Sequence, residues 1–253
     1  MTVVAGGACG GERVRLGDAI GGAHANTGGA AGVESGGNAG SGASTTTSGS
    51  AGEGGMTSCS HGLIQANQVL WIGDSWVTLP GEQHLAVRDF ARAAGAIGMD
   101  EDYVVLATPA AGIEAISKQY EAQQSTTNPP KVVIMDGGTW DTLVDNGAEE
   151  TVAAVVVSFE RLLAKIAADG SVQHVIYYLM PELASIGGVA ALRPPLMRAC
   201  QQSTVPCHFI DLQPLWLNHP EYTARDGIQA SDAGAAVIAE SIWGIMRENC
   251  IAQ

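Results

Sequence analysis

The sequence has few charged, basic and aromatic residues for its length. Of 253 residues, 15% are charged and 5% are aromatic, and 12 Lys or Arg stand against 26 Asp or Glu. The resulting net charge of −14 makes nucleic acid and anionic membrane surfaces poor partners, because like charges repel. No apolar run approaches about 18 residues, so the sequence predicts no transmembrane helix.

Patterns typical of metal sites are also missing. The chain has no Cys-x-x-Cys pair and no histidines at the spacing of metal ligands. We therefore expect neither a metal ion nor another cofactor.

Glycine is abundant but unevenly distributed, because residues 1–55 contain 18 of the 33 glycines. Residues 21–55 consist almost wholly of Gly, Ala, Ser, Thr and Asn. Such a segment cannot bury enough apolar surface to offset its ordering entropy, so we predict a flexible tether there. Residues 56–253 are long enough to bury one core and are predicted to form a single domain.

Residues 1–20 form a leader that contains a small apolar stretch ending in small residues and Cys9. This pattern is similar to the end of a bacterial lipoprotein signal, although no basic region precedes it. A free cysteine in an unstructured leader is the alternative. On the first interpretation we expect a secreted, surface or periplasmic bacterial lipoprotein that is attached to the membrane through a lipidated Cys9.

The other four cysteines lie in or beside the predicted domain. Cys200 and Cys207 bracket a short polar loop, whereas Cys59 and Cys250 stand at the two ends of the domain. We predict the disulfides Cys59–Cys250 and Cys200–Cys207, formed in an oxidising compartment, with Cys9 unpaired.

Short apolar runs rich in β-branched residues alternate with helical periods beyond residue 60. The runs cover residues 68–72, 103–107, 131–135, 175–180 and 208–212, and the helical stretches cover 83–97, 111–123, 149–168, 187–201 and 231–248. This alternation predicts the α/β class with a doubly wound, mostly parallel five-stranded sheet. Ligands of such sheets bind outside the carboxyl ends of the strands.

A Gly-Asp-Ser block follows the first predicted strand and sets Ser75 on the turn before the next helix. Three later blocks stand at further strand or helix ends: Thr-Pro-Ala-Ala-Gly at 108–112, Asp-Gly-Gly-Thr-Trp-Asp at 136–141 and Asp-Gly-Ile-Gln-Ala-Ser at 226–231. In this order the blocks resemble those of the SGNH or GDSL hydrolase family, from about residue 68 to 246. The resemblance implies the flavodoxin-like fold of that family.

The resemblance also implies roles for individual residues. Ser75 would be the nucleophile, Asp226 the orienting carboxylate, and the N–H groups of Ser75 and Gly112 the oxyanion donors. Two positions depart from the family pattern, because Trp140 replaces the oxyanion Asn and Gln229 replaces the catalytic His.

These replacements remove a base and a hydrogen-bond donor. An amide such as Gln229 is not a base near neutral pH, so Ser75 needs another group to take its proton. The Thr139 hydroxyl and the Trp140 indole N–H are the candidate replacement donors. Loss of one oxyanion donor typically costs about 10²–10³ in turnover.

A substitute base would have to be a histidine. His219 is the best candidate, because it lies seven residues before Asp226 on the loop that should carry the base. His84, nine residues after Ser75, is the second. A solvated loop histidine is the alternative for both. The remaining histidines lie in the tether, before the first strand or at strand starts: His24, His61, His174 and His208.

Tryptophans near the strand ends can either line a ligand pocket or close the core. Trp76, Trp140 and Trp216 have this position, whereas Trp71 lies inside a strand. We take Asp74 and Trp76 as candidate pocket residues.

These observations favour a monomeric SGNH/GDSL-type serine ester hydrolase with an atypical active site, either a carboxylesterase or a carbohydrate O-deacylase. The substrate would be a small-molecule or carbohydrate ester. A catalytically impaired relative that binds a glycan or lipid-like ligand is the first alternative, and a purely structural surface protein is the second.

Overall fold

The computed structural model describes residues 64–78, 83–124, 127–143 and 145–251. All of them belong to the unit Gly55–Gln253. The predicted leader and tether, together with Cys9 and Cys59, lie outside the described residues.

Five parallel strands form one sheet in the order β2-β1-β3-β4-β5. They are β1 (Val69–Ile72), β2 (Val104–Val105), β3 (Val132–Met135), β4 (His174–Leu179) and β5 (Cys207–Asp211). The predicted doubly wound α/β fold is therefore confirmed. β2 is shorter than the predicted run 103–107, because it is the edge strand and its residues are only half buried.

The five long helices match the five helical stretches of the sequence. In chain order the helices are α1 (Ser75–Thr78), α2 (Gln83–Ala93), α3 (Ile113–Gln124), α4 (Thr139–Thr142), α5 (Glu149–Asp169), α6 (Val189–Gln202), α7 (Gln213–Trp216) and α8 (Asp232–Glu248). α2 ends four residues earlier than predicted, because Gly95 adopts a left-handed φ of 71° that stops the helix. The short helices α1, α4 and α7 were not predicted.

Helices cover both faces of the sheet, so the central strands β1 and β3 are buried throughout. Phe159 of α5 packs on Tyr177 with ring centroids 4.7 Å apart on one face. On the other face Trp71 contacts His84 of α2. Ile72 pairs with Met135, so β1 and β3 end at the same level and the residues after each strand are neighbours.

A disulfide joins Cys200, near the end of α6, to Cys207 at the start of β5. This is the pairing that the sequence predicts. Cys250 is also disulfide-bonded, while Cys59, its predicted partner, lies outside the described residues. Among the described helices, none combines the length and apolar character needed to span a membrane.

Candidate active site

The turn between β1 and Ser75 needs a backbone conformation at residue 73 that only glycine adopts readily. Gly73 has a φ of 144°, and a Cβ at this position would overlap the Asp136 carboxylate. The side chain of Gln119 binds both backbone groups of Gly73. Its Oε1 accepts from Gly73 N–H at 2.7 Å, and its Nε2 donates to Gly73 O at 3.0 Å. Gln119 Nε2 also donates to Thr108 Oγ1, which ties the Ser75 turn to the loop after β2.

Two buried carboxyl groups lie beneath this turn. Asp136 Oδ1 accepts the Asp74 N–H at 2.8 Å, and Asp74 Oδ1 accepts the Trp76 N–H at 2.8 Å. Burial raises the pKa of both groups, and the charge of Asp74 raises the pKa of Asp136 further. Each carboxyl group therefore keeps its proton to a higher pH than an exposed aspartate does.

Asp74 and Trp76, the two candidate pocket residues, are both buried under the Ser75 turn. Each has an internal hydrogen-bond partner. The Trp76 indole N–H donates to Ile228 O at 3.1 Å, and its ring packs on Trp216. Trp76 thus holds the loop that carries residue 229 against the Ser75 turn.

Gln229 contacts the hydroxyl of Ser75. Its Nε2 donates to Ser75 Oγ at 3.0 Å, which is the only side-chain hydrogen bond of Ser75 within the described ranges. Among the described residues, the buried Gln229 Oε1 atom has no hydrogen-bond partner. The structure thus brings Gln229 and Ser75 together, with an amide at the position where the family resemblance implies a base.

Asp226 is exposed and serves the backbone of its own loop. Its Oδ1 accepts from the N–H groups of Ile228 and Gln229, each at 2.9 Å. These two hydrogen bonds lower the pKa of Asp226. Asp226 therefore shapes the turn that presents Gln229, and among the described residues it makes no hydrogen bond to the Gln229 side chain.

The residues predicted to form the oxyanion side of the site follow the ends of β2 and β3. Asp141 Oδ2 accepts the Ile113 N–H at 2.9 Å, and a Cβ on Gly112 would lie 2.6 Å from Asp141 Oδ1, so only glycine fits this approach. Thr139 is buried, whereas Trp140 is exposed. Within the described part of the chain, the N–H groups of Ser75 and Gly112 have no acceptor, which leaves both available to a ligand.

The candidate substitute bases have other partners. His219 Nδ1 lies 2.8 Å from Glu221 Oε1, and its ring stacks on Tyr222 with an interplanar angle of 7°. His84, which lies on α2, packs edge-on against Trp71 of β1. Neither belongs to the hydrogen-bond partners of Ser75.

The two histidines predicted at strand starts contact each other at the opposite edge of the sheet. His174 Nδ1 and His208 Nε2 are 3.3 Å apart, and burial lowers the pKa of both rings. In the part of the chain that the structure describes, no three His, Cys, Asp or Glu side chains could hold a metal ion.

Sequence reasoning assigned no role to Gln119, Asp136 or Asp141, although Asp136 and Asp141 lie in a quoted block. A signal for Asp136 was present, because a carboxylate directly after a fully buried strand needs internal partners. The contact of Gln119 with Gly73 joins residues 46 positions apart and leaves no local signature.

The fold is similar to that of several solved esterases. A family 3 carbohydrate esterase from Clostridium thermocellum has 16% identity and a TM-score of 0.60, with 73% of this chain and 98% of that chain covered. A family 3 carbohydrate esterase from Talaromyces cellulolyticus has 17% identity and a TM-score of 0.58, with 70% and 95% covered. A GDSL-like lipase from Parabacteroides merdae has 14% identity and a TM-score of 0.54, with 75% and 98% covered.

Comparison of the sequence with protein-family models and with curated proteins finds no match. The likeness therefore rests on the arrangement of strands and helices. At this level the resemblance drawn from the sequence is confirmed, and the described residues have the fold of the SGNH/GDSL hydrolases.

Proposed function

We propose that the cleft at Ser75 binds a small-molecule or carbohydrate ester by its acyl group. The site hydrolyses this ester slowly or not at all. The hydrogen bond from Gln229 Nε2 to Ser75 Oγ carries this proposal. This hydrogen bond supports a catalytically impaired relative that binds its ligand, which was the first alternative drawn from the sequence. It gives less support to an efficient hydrolase.

Hydrogen-bond donors dominate the site. Four groups can donate to an acceptor such as an ester carbonyl oxygen: the N–H groups of Ser75 and Gly112, the Ser75 hydroxyl and the Gln229 amide. Donors that are already oriented by the fold bind a carbonyl oxygen without reorganising. This set of groups supports recognition of an acyl group.

Bond cleavage needs a further group. For Ser75 to attack the carbonyl carbon, a base must take the hydroxyl proton and later return it to the leaving alkoxide. The Gln229 amide cannot take a proton near neutral pH. In a characterised triad, loss of one member leaves about 10³–10⁴-fold catalysis over water. We therefore expect weak remaining turnover of activated esters.

Ester hydrolysis at a useful rate is the second candidate function. The partly exposed Ser75 hydroxyl and the two free backbone donors favour it. It requires His219 to leave Glu221 and Tyr222 and to approach Ser75, because these two residues now hold its ring.

Export of the protein as a monomer, with Cys9 as a lipid anchor and residues 21–55 as a tether, is part of the proposal. The Cys200–Cys207 disulfide supports an oxidising compartment. A domain held at a cell surface would meet carbohydrate esters rather than cytosolic metabolites.

Calorimetry and initial rates on one set of proteins test the proposal. We expect acetylated xylotriose to bind the full-length protein, with similar affinity for the Gln229→Asn variant, while para-nitrophenyl acetate is hydrolysed only slowly. Absence of binding by any acetyl ester would overturn the binding function. Rapid hydrolysis that disappears in Ser75→Ala would replace it with the second candidate.

A further inference from the structure

We propose that Trp140 is the specificity-determining residue of the Ser75 cleft and forms the flat wall on which the sugar ring of an acylated carbohydrate packs. This inference rests on the proposed function and names the part of the ligand that lies outside the acyl group.

Trp140 differs from every other tryptophan of the chain. Its exposed fraction is 46%, whereas the other four are 8% exposed or less: Trp71, Trp76, Trp216 and Trp243. A large indole in water forgoes the gain of burial, so an exposed one at a cleft is well suited to a ligand surface. Its position is also that of the Asn that the family resemblance implies, so an apolar plane replaces a polar donor.

The backbone around Trp140 is held firmly, although the side chain is free. Thr139 and Thr142 are buried, and Thr142 Oγ1 donates to Thr139 O at 2.9 Å. On the other side, Asp141 accepts the Ile113 N–H beside Gly112. Trp140 therefore stands on a turn that these hydrogen bonds hold, at the end of the sheet where the proposed oxyanion donors lie. A side chain that is positioned in advance loses little conformational entropy when a ligand binds.

A second exposed apolar side chain lies on the loop that carries Gln229. Ile228 is 41% exposed, and its own carbonyl oxygen is fixed by the Trp76 indole N–H. The next residue, Gln229, binds Ser75. Apolar surface thus stands on the segment after β3, which Asp136 links to the Ser75 turn, and on the loop before α8, which Gln229 links to Ser75.

Surroundings that are both polar and apolar favour a sugar ring, which carries both kinds of surface. Beside Asp141 lies a cavity of about 340 Å³ whose lining includes Glu114, Glu150 and Thr151 together with Ala154 and Val155. Carboxylates and hydroxyls accept hydrogen bonds from sugar hydroxyls, and the aliphatic side chains contact the C–H groups of the ring. A pyranose offers an apolar C–H face to the indole and hydroxyls to its neighbours.

Binding measurements on three variants of the full chain test the role of Trp140. Trp140→Phe keeps a ring, Trp140→Ala removes it, and Met99→Ala removes another exposed apolar side chain, 77% exposed, from the turn before β2. The probes are acetylated xylotriose, ethyl acetate and ethyl octanoate. Tryptophan fluorescence and calorimetry report binding, and thermal unfolding confirms that each variant is folded.

We expect Trp140→Ala to weaken binding of acetylated xylotriose about tenfold, as loss of about 1.4 kcal/mol of aromatic contact predicts, while Trp140→Phe and Met99→Ala change it little. Ethyl acetate should bind all variants alike, because it has no ring. Equal binding of acetylated xylotriose by Trp140→Ala and wild type overturns the role of Trp140. Tighter binding of ethyl octanoate than of acetylated xylotriose overturns the carbohydrate assignment.

These failures differ from failure of the proposed function. If none of the three esters binds the wild-type protein, the Ser75 cleft is not an ester site and the role of Trp140 falls with it. If ethyl acetate binds and only the effect of Trp140→Ala is missing, the ester site stands without its aromatic wall.

Discussion

Gln229 donates a hydrogen bond to Ser75 across 154 positions of sequence, with 3.0 Å between Gln229 Nε2 and Ser75 Oγ. The Nε2 atom that makes this contact can only donate, so it takes no proton from the serine. Among the described residues the buried Gln229 Oε1 has no partner, so the site keeps one unsatisfied acceptor on the side chain that contacts the serine. This relationship decides what the site can do chemically.

Replacing Gln229 by histidine should create a base at Ser75. We expect the Gln229→His variant to hydrolyse para-nitrophenyl acetate about 10³–10⁴ times faster than wild type, because it completes a serine–histidine pair next to Asp226. Initial rates measure the gain. Gln229→Asn is the matched control, since it changes size without adding a base, and should stay at the wild-type rate.

The gain must depend on the serine. Adding Ser75→Ala to Gln229→His should return hydrolysis to the background rate. An unchanged rate in Gln229→His itself would mean that the missing base is not what limits this site.

Removing the imidazole of His219 should leave the slow hydrolysis nearly unchanged. Its ring is held by Glu221 and Tyr222, and Ser75 bonds to a different residue. The check is the initial rate of His219→Ala with para-nitrophenyl acetate, beside Glu221→Gln as a control that frees the ring without removing it. Loss of turnover in His219→Ala alone would identify His219 as the base and favour the hydrolase.

The fold could be predicted from the sequence because its signals are local. Continuous apolar runs such as 132–135 occur where a strand is covered on both faces, and helical periods fill the crossovers. The short helices α1, α4 and α7 were missed, because four residues contain too little periodicity to distinguish a helix from a turn.

Part of the site followed from the sequence for a different reason. Ser75, Gly112 and Gln229 stand at strand ends or helix starts, which parallel topology brings to one edge. The link between Asp136 and the Asp74 N–H depends on the register of β1 against β3, and the exposure of Trp140 depends on side-chain packing. Neither leaves a pattern in the sequence, so the sequence cannot distinguish the buried Trp76 from the exposed Trp140.

The disulfide between Cys200 and Cys207 should stabilise the domain measurably. In the loop-entropy model a closed loop of this size is worth about 2.5 kcal/mol. We expect the Cys200→Ser/Cys207→Ser double variant to lose about that free energy of unfolding in urea titrations, with Ser203→Ala in the same loop as a control. Equal unfolding midpoints would show that α6 and β5 are held together by packing alone.

The buried pair Asp74 and Asp136 should make stability fall as pH rises. An unfolded aspartate has a pKa of about 3.9, whereas burial and the charge of Asp74 raise the folded-state pKa of Asp136 well above that value. The folded protein therefore binds more protons than the unfolded chain above about pH 4, and the free energy of unfolding declines until the folded-state pKa is passed. One such group gives a slope of at most about 1.4 kcal/mol per pH unit.

Asp136→Asn should remove the contribution of Asp136 to this slope while keeping the structure. The asparagine Oδ1 can still accept the Asp74 N–H, and its amide N–H can donate to the Asp74 carboxylate as a protonated Asp136 does. Urea unfolding between about pH 5 and pH 8 measures the difference between the variant and wild type. Asp102, Asp145, Glu221 and Asp226, whose pKa values are lowered in the folded state, affect stability at lower pH. The raised pKa of Asp141 and the lowered pKa values of His174 and His208 add pH dependence above about pH 4 in both proteins, so they cancel in the difference. Asp100→Asn, on an exposed turn, is the control and should keep the wild-type slope. Parallel pH dependences in wild type and Asp136→Asn would mean that Asp136 is ionised in the folded protein, and that the turn under Ser75 is held by a charge rather than by a shared proton.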